Sequence, residues 1–347
     1  MARRKALKKD LSPEELIDSC LEEEPLIPGP VPMWIPSGCS QLDWAIGGEG
    51  WPCGRMVEMY GLESSGKTLL ALSACKNAIK MGGTAVYLDM EAAYNEEWAI
   101  KIGLPKSGLI LRTPKDLEEV HDIIETIVDN HERFNPPIVI VWDSLAATAS
   151  RLSVQKKSAK EIDPIGMEAR LNGSFFRRKV IKNMRNAPVS LIIINQIRQK
   201  IGGNPYDNET TPGGLAVKFY ASVRVAVKKT RTMKPKREGA LPVGAFVRAI
   251  VKKNKIDRPH RMADFPIYFN RGMDDVYSIL YYCEMVNVLP VSSNGRITWK
   301  DKSYTRVDLY RYLKENDREF QELRLLAKQV FYSETPLGDE SYDTKEE

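Results

Sequence analysis

The stretch Gly61–Thr68 constrains this chain more than any other. It reads Gly-Leu-Glu-Ser-Ser-Gly-Lys-Thr and fits the phosphate-binding pattern G-x-x-x-x-G-K-(S/T) at every fixed position. The bulky, alternating segment 55–60 before it predicts a strand, and the segment 69–75 after it suits a helix. Strand, glycine-rich turn and helix form the context in which this motif binds phosphate. The stretch therefore predicts a nucleotide site, with a plain glycine turn as the weaker alternative.

The residues of this motif have distinct chemical tasks. Its glycines let backbone N–H groups converge on a phosphate, and the N-terminus of the following helix adds partial positive charge. We expect Lys67 to reach the outer phosphates of the nucleotide and the Thr68 hydroxyl to hold Mg²⁺. The nucleotide-binding residues predicted here are Gly61, Glu63, Ser64, Ser65, Gly66, Lys67 and Thr68.

Strand-like and helix-like segments alternate along the middle of the chain. The predicted strands are 84–89, 109–112, 138–142 and 189–195, and the predicted helices are 96–102, 115–128 and 166–184. Such alternation predicts an α/β fold in which helices flank a mostly parallel, twisted sheet. In folds of this kind the ligands sit at the carboxyl ends of the strands.

Changes of composition divide the chain into four predicted parts. Prolines crowd the stretch 25–37, which we interpret as an extended linker. Past Phe219 the pattern changes to consecutive strands at 221–228, 244–251 and 263–269, which we expect to be antiparallel. The predicted parts are an N-terminal helix with its linker (1–32), a core (33–270), a small C-terminal α/β domain (271–332) and an acidic, disordered tail (333–347).

Composition also narrows the class of protein. The net charge of +5 is too small to indicate nucleic-acid binding by itself, and the basic stretches 228–237 and 252–261 could equally be solvated. The five cysteines are scattered and lack C-x-x-C spacing, so we expect neither disulfides nor zinc, but a reducing compartment such as the cytoplasm. We expect no membrane segment, because no apolar run approaches the roughly 20 residues of a membrane span. A secretory signal is not predicted either, because no apolar segment follows the basic N-terminus.

Two carboxylates follow predicted strands of the core. Asp143 ends an apolar strand, beside Ser144, and can hold Mg²⁺ through the water shell of the ion. An aspartate at a strand end is common, so it is the upstream motif that favours this metal role. Glu91 lies just past another strand, where a carboxylate could orient and partly deprotonate the water that attacks ATP. Asp89 and Glu91 could instead be surface or helix-capping groups.

A long polar loop follows the strand 189–195. Gln196 opens this loop, and an uncharged amide there can sense whether the γ-phosphate of a nucleotide is present. Arg198 and Lys200 lie among glycines, a composition suited to following a phosphate backbone. A plain surface loop is the alternative, although about 18 residues is longer than most connections without a function.

The chain resembles the RecA family of recombinases over roughly residues 33–330. The segments that carry the resemblance are ESSGKT (63–68), DMEA (89–92), VWDS (141–144), INQIR (194–198), TPGG (211–214), KFYASVR (218–224) and KNKI (253–256). Many P-loop ATPases share the first of these segments, whereas the INQIR and KFYAS segments are specific to the family. The resemblance implies a RecA-like core with an N-terminal helical arm and a small C-terminal domain.

This resemblance also implies an activity. A member of the family would form an ATP-dependent helical filament on single-stranded DNA and pair that strand with homologous duplex DNA, in homologous recombination and DNA repair. By position, the phosphate lysine, metal hydroxyl, metal carboxylate, catalytic base and γ-phosphate sensor would be Lys67, Thr68, Asp143, Glu91 and Gln196.

In such filaments ATP lies between subunits. The resemblance implies that Lys253 and Lys255 reach the γ-phosphate held by the neighbouring protomer, much as an arginine finger does. A solvated basic strand edge is the alternative interpretation of these lysines.

Two loops that hold DNA along the filament axis are implied as well. The first runs through about Lys156–Arg170, and the second through Arg198–Thr211. Ile165 and Ile201 are candidates to wedge between stretched bases, with buried core isoleucines as the ordinary alternative. The predicted DNA-binding residues are Ile165, Gly166, Arg170, Arg177, Arg198, Lys200, Ile201, Gly202, Thr210, Thr211, Gly213 and Gly214.

The chain departs from the family pattern at several positions. Trp98 aligns with a tyrosine that stacks on adenine, and its larger ring could stack as well. Asn95 replaces an acidic residue nearby, and Ile165 replaces the usual methionine. The N-terminal helix resembles the arm through which subunits polymerise, and the acidic tail resembles one that competes with DNA for basic surface. These departures suggest a distant member, with a phage-encoded protein as one alternative.

Three other functions remain as alternatives to a DNA-dependent ATPase that catalyses strand exchange. A helicase or other motor on the same core would form closed rings, but the paired lysines and the glycine-rich second loop favour a recombinase. A non-catalytic paralogue that coats DNA is disfavoured by the intact Lys67, Glu91 and Gln196. A P-loop kinase of small molecules would need a substrate lid, which nothing in the sequence resembles.

Overall fold

Strands and helices alternate through most of the described chain. The computed structural model describes residues 30–155, 166–199, 209–212, 214–235, 237 and 239–333. Its strands are β1 (Trp34–Ile35), β2 (Trp51–Pro52), β3 (Arg55–Gly61), β4 (Thr84–Asp89), β5 (Leu109–Arg112), β6 (Ile138–Asp143), β7 (Val189–Gln196), β8 (Arg198–Gln199), β9 (Glu209–Thr210), β10 (Val223–Met233), β11 (Gly244–Asn254), β12 (Met262–Tyr268), β13 (Gly272–Met273), β14 (Ile297–Trp299) and β15 (Lys302–Tyr304). Its helices are α1 (Ser40–Ile46), α2 (Lys67–Lys80), α3 (Glu96–Lys101), α4 (Leu117–Asp129), α5 (Arg151–Gln155), α6 (Met167–Phe175), α7 (Ile181–Asn183), α8 (Gly214–Tyr220), α9 (Asp275–Met285), α10 (Arg306–Glu315) and α11 (Asp317–Ser333).

The largest sheet among the described residues has nine strands, in the spatial order β13-β12-β11-β10-β3-β7-β6-β4-β5. The strands β3 to β7 run parallel to one another, and β10 runs parallel to β3. Beyond β10 the strands β11, β12 and β13 are antiparallel, because turns rather than crossover helices connect them. The predicted α/β fold with a mostly parallel sheet is therefore confirmed, as is the antiparallel pairing past Phe219.

One predicted helix differs in detail from the structure. The segment 166–184 is interrupted by a π-helical turn, Phe176–Val180, between α6 and α7. The wider turn allows Phe175, Phe176 and Val180 all to reach the core, where each is buried. Periodicity alone could not show this, because it assumes 3.6 residues in every turn.

Helices cover both faces of the sheet. On one face, Leu70 of α2 belongs to an apolar cluster with Val57 of β3. On the other face, Ile124 of α4 belongs to a cluster with Ile140 of β6. Burying such a side chain stabilises the fold by about 1.5–3 kcal/mol. Because the central strands are buried on both sides, their sequences are continuous apolar runs. Their carboxyl ends lie together at one edge of the packed sheet.

The C-terminal helices share a third apolar cluster with a helix from the start of the core. Ile279 of α9, Leu309 of α10 and Leu323 of α11 lie in this cluster with Trp44 of α1. All described residues from Val31 onward fall in one compact unit. The proposed division at residue 270 stays a prediction, and residues 1–29 of the predicted arm and 334–347 of the predicted tail lie outside the described residues. Among the helices that the structure describes, none has both the length and the apolar character to span a membrane.

Candidate nucleotide-binding site

The turn between β3 and α2 depends on glycine at two positions. Gly66 caps α2 with φ at 101°, and a Cβ there would lie 2.7 Å from Cδ1 of Ile267. A Cβ at Gly61 would lie 2.1 Å from the carbonyl oxygen of Val227. Neither position accepts a larger residue without distortion, since one has a left-handed backbone and the other meets backbone. The turn therefore brings backbone N–H groups to the N-terminus of α2, where an anion is favoured.

The Lys67 ammonium lies inside this turn. Its Nζ donates hydrogen bonds to the carbonyl oxygens of Gly61 at 3.0 Å and Leu62 at 2.7 Å, and to Oγ of Ser65 at 3.4 Å. Burial lowers the pKa of Lys67, while the nearby carboxylates, first that of Asp143, oppose this shift. These acceptors are neutral, so a phosphate oxygen would be a stronger partner for the ammonium.

A hydroxyl and a carboxylate meet beside this turn. Oδ2 of Asp143 accepts hydrogen bonds from Oγ1 of Thr68 at 3.1 Å and from the Tyr87 hydroxyl at 2.5 Å. Burial raises the pKa of Asp143, and the hydrogen bonds from Tyr87 and Thr68 oppose this. Hydroxyl and carboxylate oxygens are hard donors that suit Mg²⁺, and a cation would offset the cost of burying this charge.

Tyr87 is a residue of this site that the sequence reasoning missed. It is buried, and burial with the adjacent Asp143 raises the pKa of its hydroxyl well above the usual value. The signal for it was its position, two residues before Asp89 on β4, because alternate residues of a strand point to the same face. The hydroxyl orients Asp143 rather than contacting the turn itself.

Three strand ends converge on Glu91. Its Oε1 accepts a hydrogen bond from Oγ of Ser144 at 2.6 Å and another from Nε2 of Gln196 at 3.1 Å. Asp89, by contrast, accepts backbone N–H groups from Ala93 at 3.2 Å and Tyr94 at 2.9 Å, so it caps the turn after β4. The two acidic residues of this segment therefore have different partners. Asp89 accepts from backbone N–H groups of its own turn, and Glu91 accepts from side chains at the ends of two other strands.

A cavity of about 50 Å³ extends from the Thr68 end of the site toward α3. Residues of its lining include Thr68, Asp143, Glu91, Tyr94 and Trp98. Trp98 is held in place because its backbone N–H donates to Asn95 at 2.8 Å and its Nε1 donates to the Phe269 carbonyl at 3.0 Å. The cavity is thus lined both by an aromatic ring and by the oxygens of Thr68 and Asp143.

Lys253 and Lys255 lie at the end of β11, against α8. Nζ of Lys253 donates to the carbonyl oxygens of Lys218 at 2.7 Å and Phe219 at 2.8 Å, and Nζ of Lys255 donates to that of Phe219 at 3.3 Å. Burial, followed by the charges of Lys255 and Arg224, lowers the pKa of Lys253 to about 8. The carbonyl end of α8 is a favourable place for cations.

The structure describes part of the two predicted DNA loops. Gly166 caps α6 with φ at 75°, and Arg170 and Arg177 are exposed on the helix that follows. Backbone pairing of Arg198 with Thr210 joins the two ends of the second loop in a small antiparallel ladder. Thr211 is buried, and Gly214 begins α8. The predicted contacts Ile165, Lys200, Ile201, Gly202 and Gly213 lie outside the described residues.

Comparison with known proteins gives concordant matches. The family model described as the RecA N-terminal domain matches residues 32–274. A protein named RecA from Picosynechococcus sp. is 36% identical over 318 residues, which cover 90% of this chain and 88% of that protein. A RecA from Thermus thermophilus is 39% identical over 249 residues, covering 71% of this chain and 70% of the relative. A crystal structure of the RadB recombinase aligns with a TM-score of 0.51 at 21% identity, over 70% of this chain and 99% of that one, which shows likeness of fold.

Proposed function

The chain belongs to the RecA family, as a RecA-type recombinase with DNA-dependent ATPase activity, and we propose that its nucleotide is ATP with Mg²⁺. We further propose that it forms helical filaments on single-stranded DNA, where ATP hydrolysis accompanies homologous pairing and strand exchange with duplex DNA. ATP and DNA both occur in the cytoplasm of a bacterial or phage-infected cell, which is where this activity would take place.

The observation that carries this proposal is the convergence of Glu91 on Ser144 and Gln196, beside the turn that holds Lys67. In the proposed reaction Glu91 orients the attacking water and accepts its proton, and Lys67 exchanges its loop carbonyls for phosphate oxygens. In this structure Gln196 donates a hydrogen bond to Glu91, and it would donate to the γ-phosphate when that group is present. This exchange of partners is how Gln196 would report the nucleotide state.

The groups that would hold the metal are the Thr68 hydroxyl and the Asp143 carboxylate, with Tyr87 fixing the orientation of Asp143. Bound there, Mg²⁺ would neutralise charge on the phosphates. The ring of Trp98, which lines the same cavity, would stack on the adenine.

The proposed site is completed by a second subunit. Lys253 and Lys255 of a neighbouring protomer would approach the γ-phosphate and stabilise its developing charge. DNA would be held by the two loops, with exposed Arg170 and Arg177 beside the first and the Arg198–Thr210 ladder beside the second. Residues 1–32 would serve as the polymerisation arm, 33–270 as the ATPase and DNA-binding core, 271–332 as the C-terminal domain and 333–347 as the acidic tail.

Electron microscopy with parallel ATPase assays tests this function. With single-stranded DNA and a non-hydrolysable ATP analogue, negative-stain images are expected to show helical filaments, and the same DNA is expected to stimulate ATP hydrolysis. Closed rings would instead favour a helicase, and isolated particles without DNA stimulation would contradict a recombinase.

A mixing experiment tests whether the site lies between protomers. Lys67→Arg and Lys253→Ala should each be inactive alone, because each removes one half of every site. Mixed in equal amounts they should recover about a quarter of the wild-type rate, since one junction in four joins an intact Lys67 to an intact Lys253. No recovery in filaments that do form would mean that each site belongs to one subunit.

A further inference from the structure

The Glu58 carboxylate is a buried charge to which the chemistry above gives no task. It lies on β3, near the turn that begins at Gly61, and its side chain has no solvent exposure. Burying an ionised carboxylate is costly unless several hydrogen bonds compensate for the lost water. The hydrogen-bond partners of Glu58 therefore show which side chains this carboxylate holds in place.

Those partners come from the strands on either side of β3. Oε2 of Glu58 accepts a hydrogen bond from Nε of Arg224 on β10 at 2.5 Å. Oε1 accepts one from Nδ2 of Asn195 on β7 at 3.0 Å. The guanidinium of Arg224 also lies over the Tyr60 ring, 4.6 Å from its centroid. Glu58 thus fixes the side chain of Asn195 from a rigid position in the middle of the sheet.

Asn195 uses its second amide N–H and its carbonyl oxygen to hold two segments that the proposed function connects. Its Nδ2 also donates to the carbonyl oxygen of Pro212 at 3.0 Å, at the end of the second DNA loop. Its Oδ1 accepts from the backbone N–H of Gln196 at 3.0 Å. Both N–H groups and the carbonyl of this buried amide are engaged, so its orientation is determined. A shift of Gln196 must therefore strain the bond to Pro212 or move Pro212 with it.

We propose that Glu58 is a positioning residue that keeps Asn195 rigid, so that the nucleotide state read by Gln196 is transmitted to Pro212 and sets the affinity for DNA. This inference rests on the proposed roles of Gln196 and of the second loop. The coupling path consists of one side chain with three satisfied hydrogen bonds, and it needs the carboxylate of Glu58 as its fixed end.

The test measures a coupling ratio, defined as the Kd of a fluorescent oligo-dT with ADP divided by its Kd with the slowly hydrolysed analogue ATPγS. In Glu58→Gln, one amide oxygen replaces two carboxylate oxygens. We expect that oxygen to accept from the charged Arg224, because this is the stronger hydrogen bond. The amide NH₂ group then faces the NH₂ group of Asn195, and the hydrogen bond to Asn195 is lost. We expect the coupling ratio to fall about tenfold, while the Kd of a fluorescent ATP analogue stays unchanged.

A matched control makes the same chemical change elsewhere. Glu284, largely buried, pairs with Arg306 between α9 and α10. Glu284→Gln should lose similar stability in a melting experiment but keep the wild-type coupling ratio. A drop in the ratio for this control as well would overturn the inference, because loss of stability alone would then explain the effect.

Asn195→Ala is a second variant that breaks the same path but leaves the Glu58–Arg224 pair intact. The inference can therefore be tested even if Glu58→Gln does not fold. We expect the same loss of coupling, and a double variant no worse than either single one, because both changes break one path. A folded Glu58→Gln or Asn195→Ala with a normal ratio, or additive losses in the double variant, would overturn the inference. A wild-type ratio near one would instead contradict the proposed function itself, which separates the two failures.

Discussion

At the scale of single residues, the Glu91 carboxylate receives hydrogen bonds from two different strands on the same oxygen. Oγ of Ser144 and Nε2 of Gln196 both donate to Oε1, which fixes the plane of the carboxylate. Neither donor carries a charge, so Glu91 remains free to accept a proton from water. The arrangement fits the proposed base, because both partners are neutral side-chain donors on one oxygen and the other oxygen receives no hydrogen bond from them.

Glu91→Gln tests this role. An amide can keep one of the two contacts but cannot accept a proton, so DNA-stimulated ATP hydrolysis should fall about 10²–10⁴-fold. The affinity for ATP should not change, and filaments formed with ATP should persist for longer. Glu96→Gln, on the exposed side of α3, serves as the control and should hydrolyse ATP normally. Near-normal turnover in Glu91→Gln would remove it as the base.

The lowered pKa of Lys253, about 8, gives a prediction of pH dependence. The ammonium is charged below this pKa and neutral above it, so its attraction for a γ-phosphate is lost as the pH rises through about 8. The rate of DNA-stimulated hydrolysis should therefore fall between about pH 7 and pH 9. Arginine stays charged in this range, so Lys253→Arg should flatten the decline even if its rate is lower. The same midpoint in both proteins would show that another group titrates.

At the scale of elements, the short helix α3 determines where an aromatic ring stands. Asn95 caps it by accepting from the Trp98 N–H, and the ring nitrogen of Trp98 is bonded to the Phe269 carbonyl beyond the end of β12. One bond fixes the start of the helix, and the other fixes the ring. Asn95, a departure from the family pattern, therefore has a structural task as an N-cap.

Substitution of Trp98 measures how much its ring contributes to the affinity for ATP. Trp98→Ala should weaken ATP binding about 2- to 12-fold, the range that corresponds to losing about 0.5–1.5 kcal/mol of aromatic stacking. Trp98→Tyr should keep most of the affinity, since a ring remains. Titration of a fluorescent ATP analogue provides the measurement, with turnover at saturating ATP expected to be unchanged. Equal affinity in all three proteins would place the adenine elsewhere.

At the scale of the whole molecule, a buried carboxylate pair lies where α1 meets the C-terminal helices. Asp275 of α9 accepts from the backbone N of Ser40 at 2.7 Å and from its Oγ at 2.6 Å. Asp43 accepts from the backbone N of Ser37 at 2.9 Å. Burial raises the pKa of Asp43 to about 7, while the hydrogen bonds from Ser37 oppose the shift. Arg324 contacts Ser40 and supplies positive charge from α11.

The raised pKa of Asp43 predicts how stability varies with pH. The folded state binds a proton at Asp43 that the unfolded state has released, so this contribution is full below the unfolded pKa of 3.8 and is lost as the pH rises through about 7. Asp43→Asn keeps an acceptor for Ser37 and removes the titration. Between about pH 5 and pH 8 its melting temperature should therefore fall less than that of the wild type. Parallel curves for the two proteins would contradict the buried, titrating carboxylate.

The sequence by itself determined the α/β class, the strand that ends at Gly61, and the apolar strands that end beside Asp143 and Gln196. These features are local, because they depend on glycine at constrained turns and on uninterrupted apolar runs in strands buried on both faces. The family membership followed from the order of short segments, and the comparisons confirm it.

Only the tertiary structure decided which side chains meet. The contact of Glu91 with Gln196 depends on the spatial order of β4, β6 and β7, and the burial of Glu58 depends on β10 lying beside β3. Residues far apart in the chain become neighbours only through the crossover connections, and no local pattern records that pairing. For the same reason the partners of Tyr87 and Asn195 could not be predicted, since they lie on other strands.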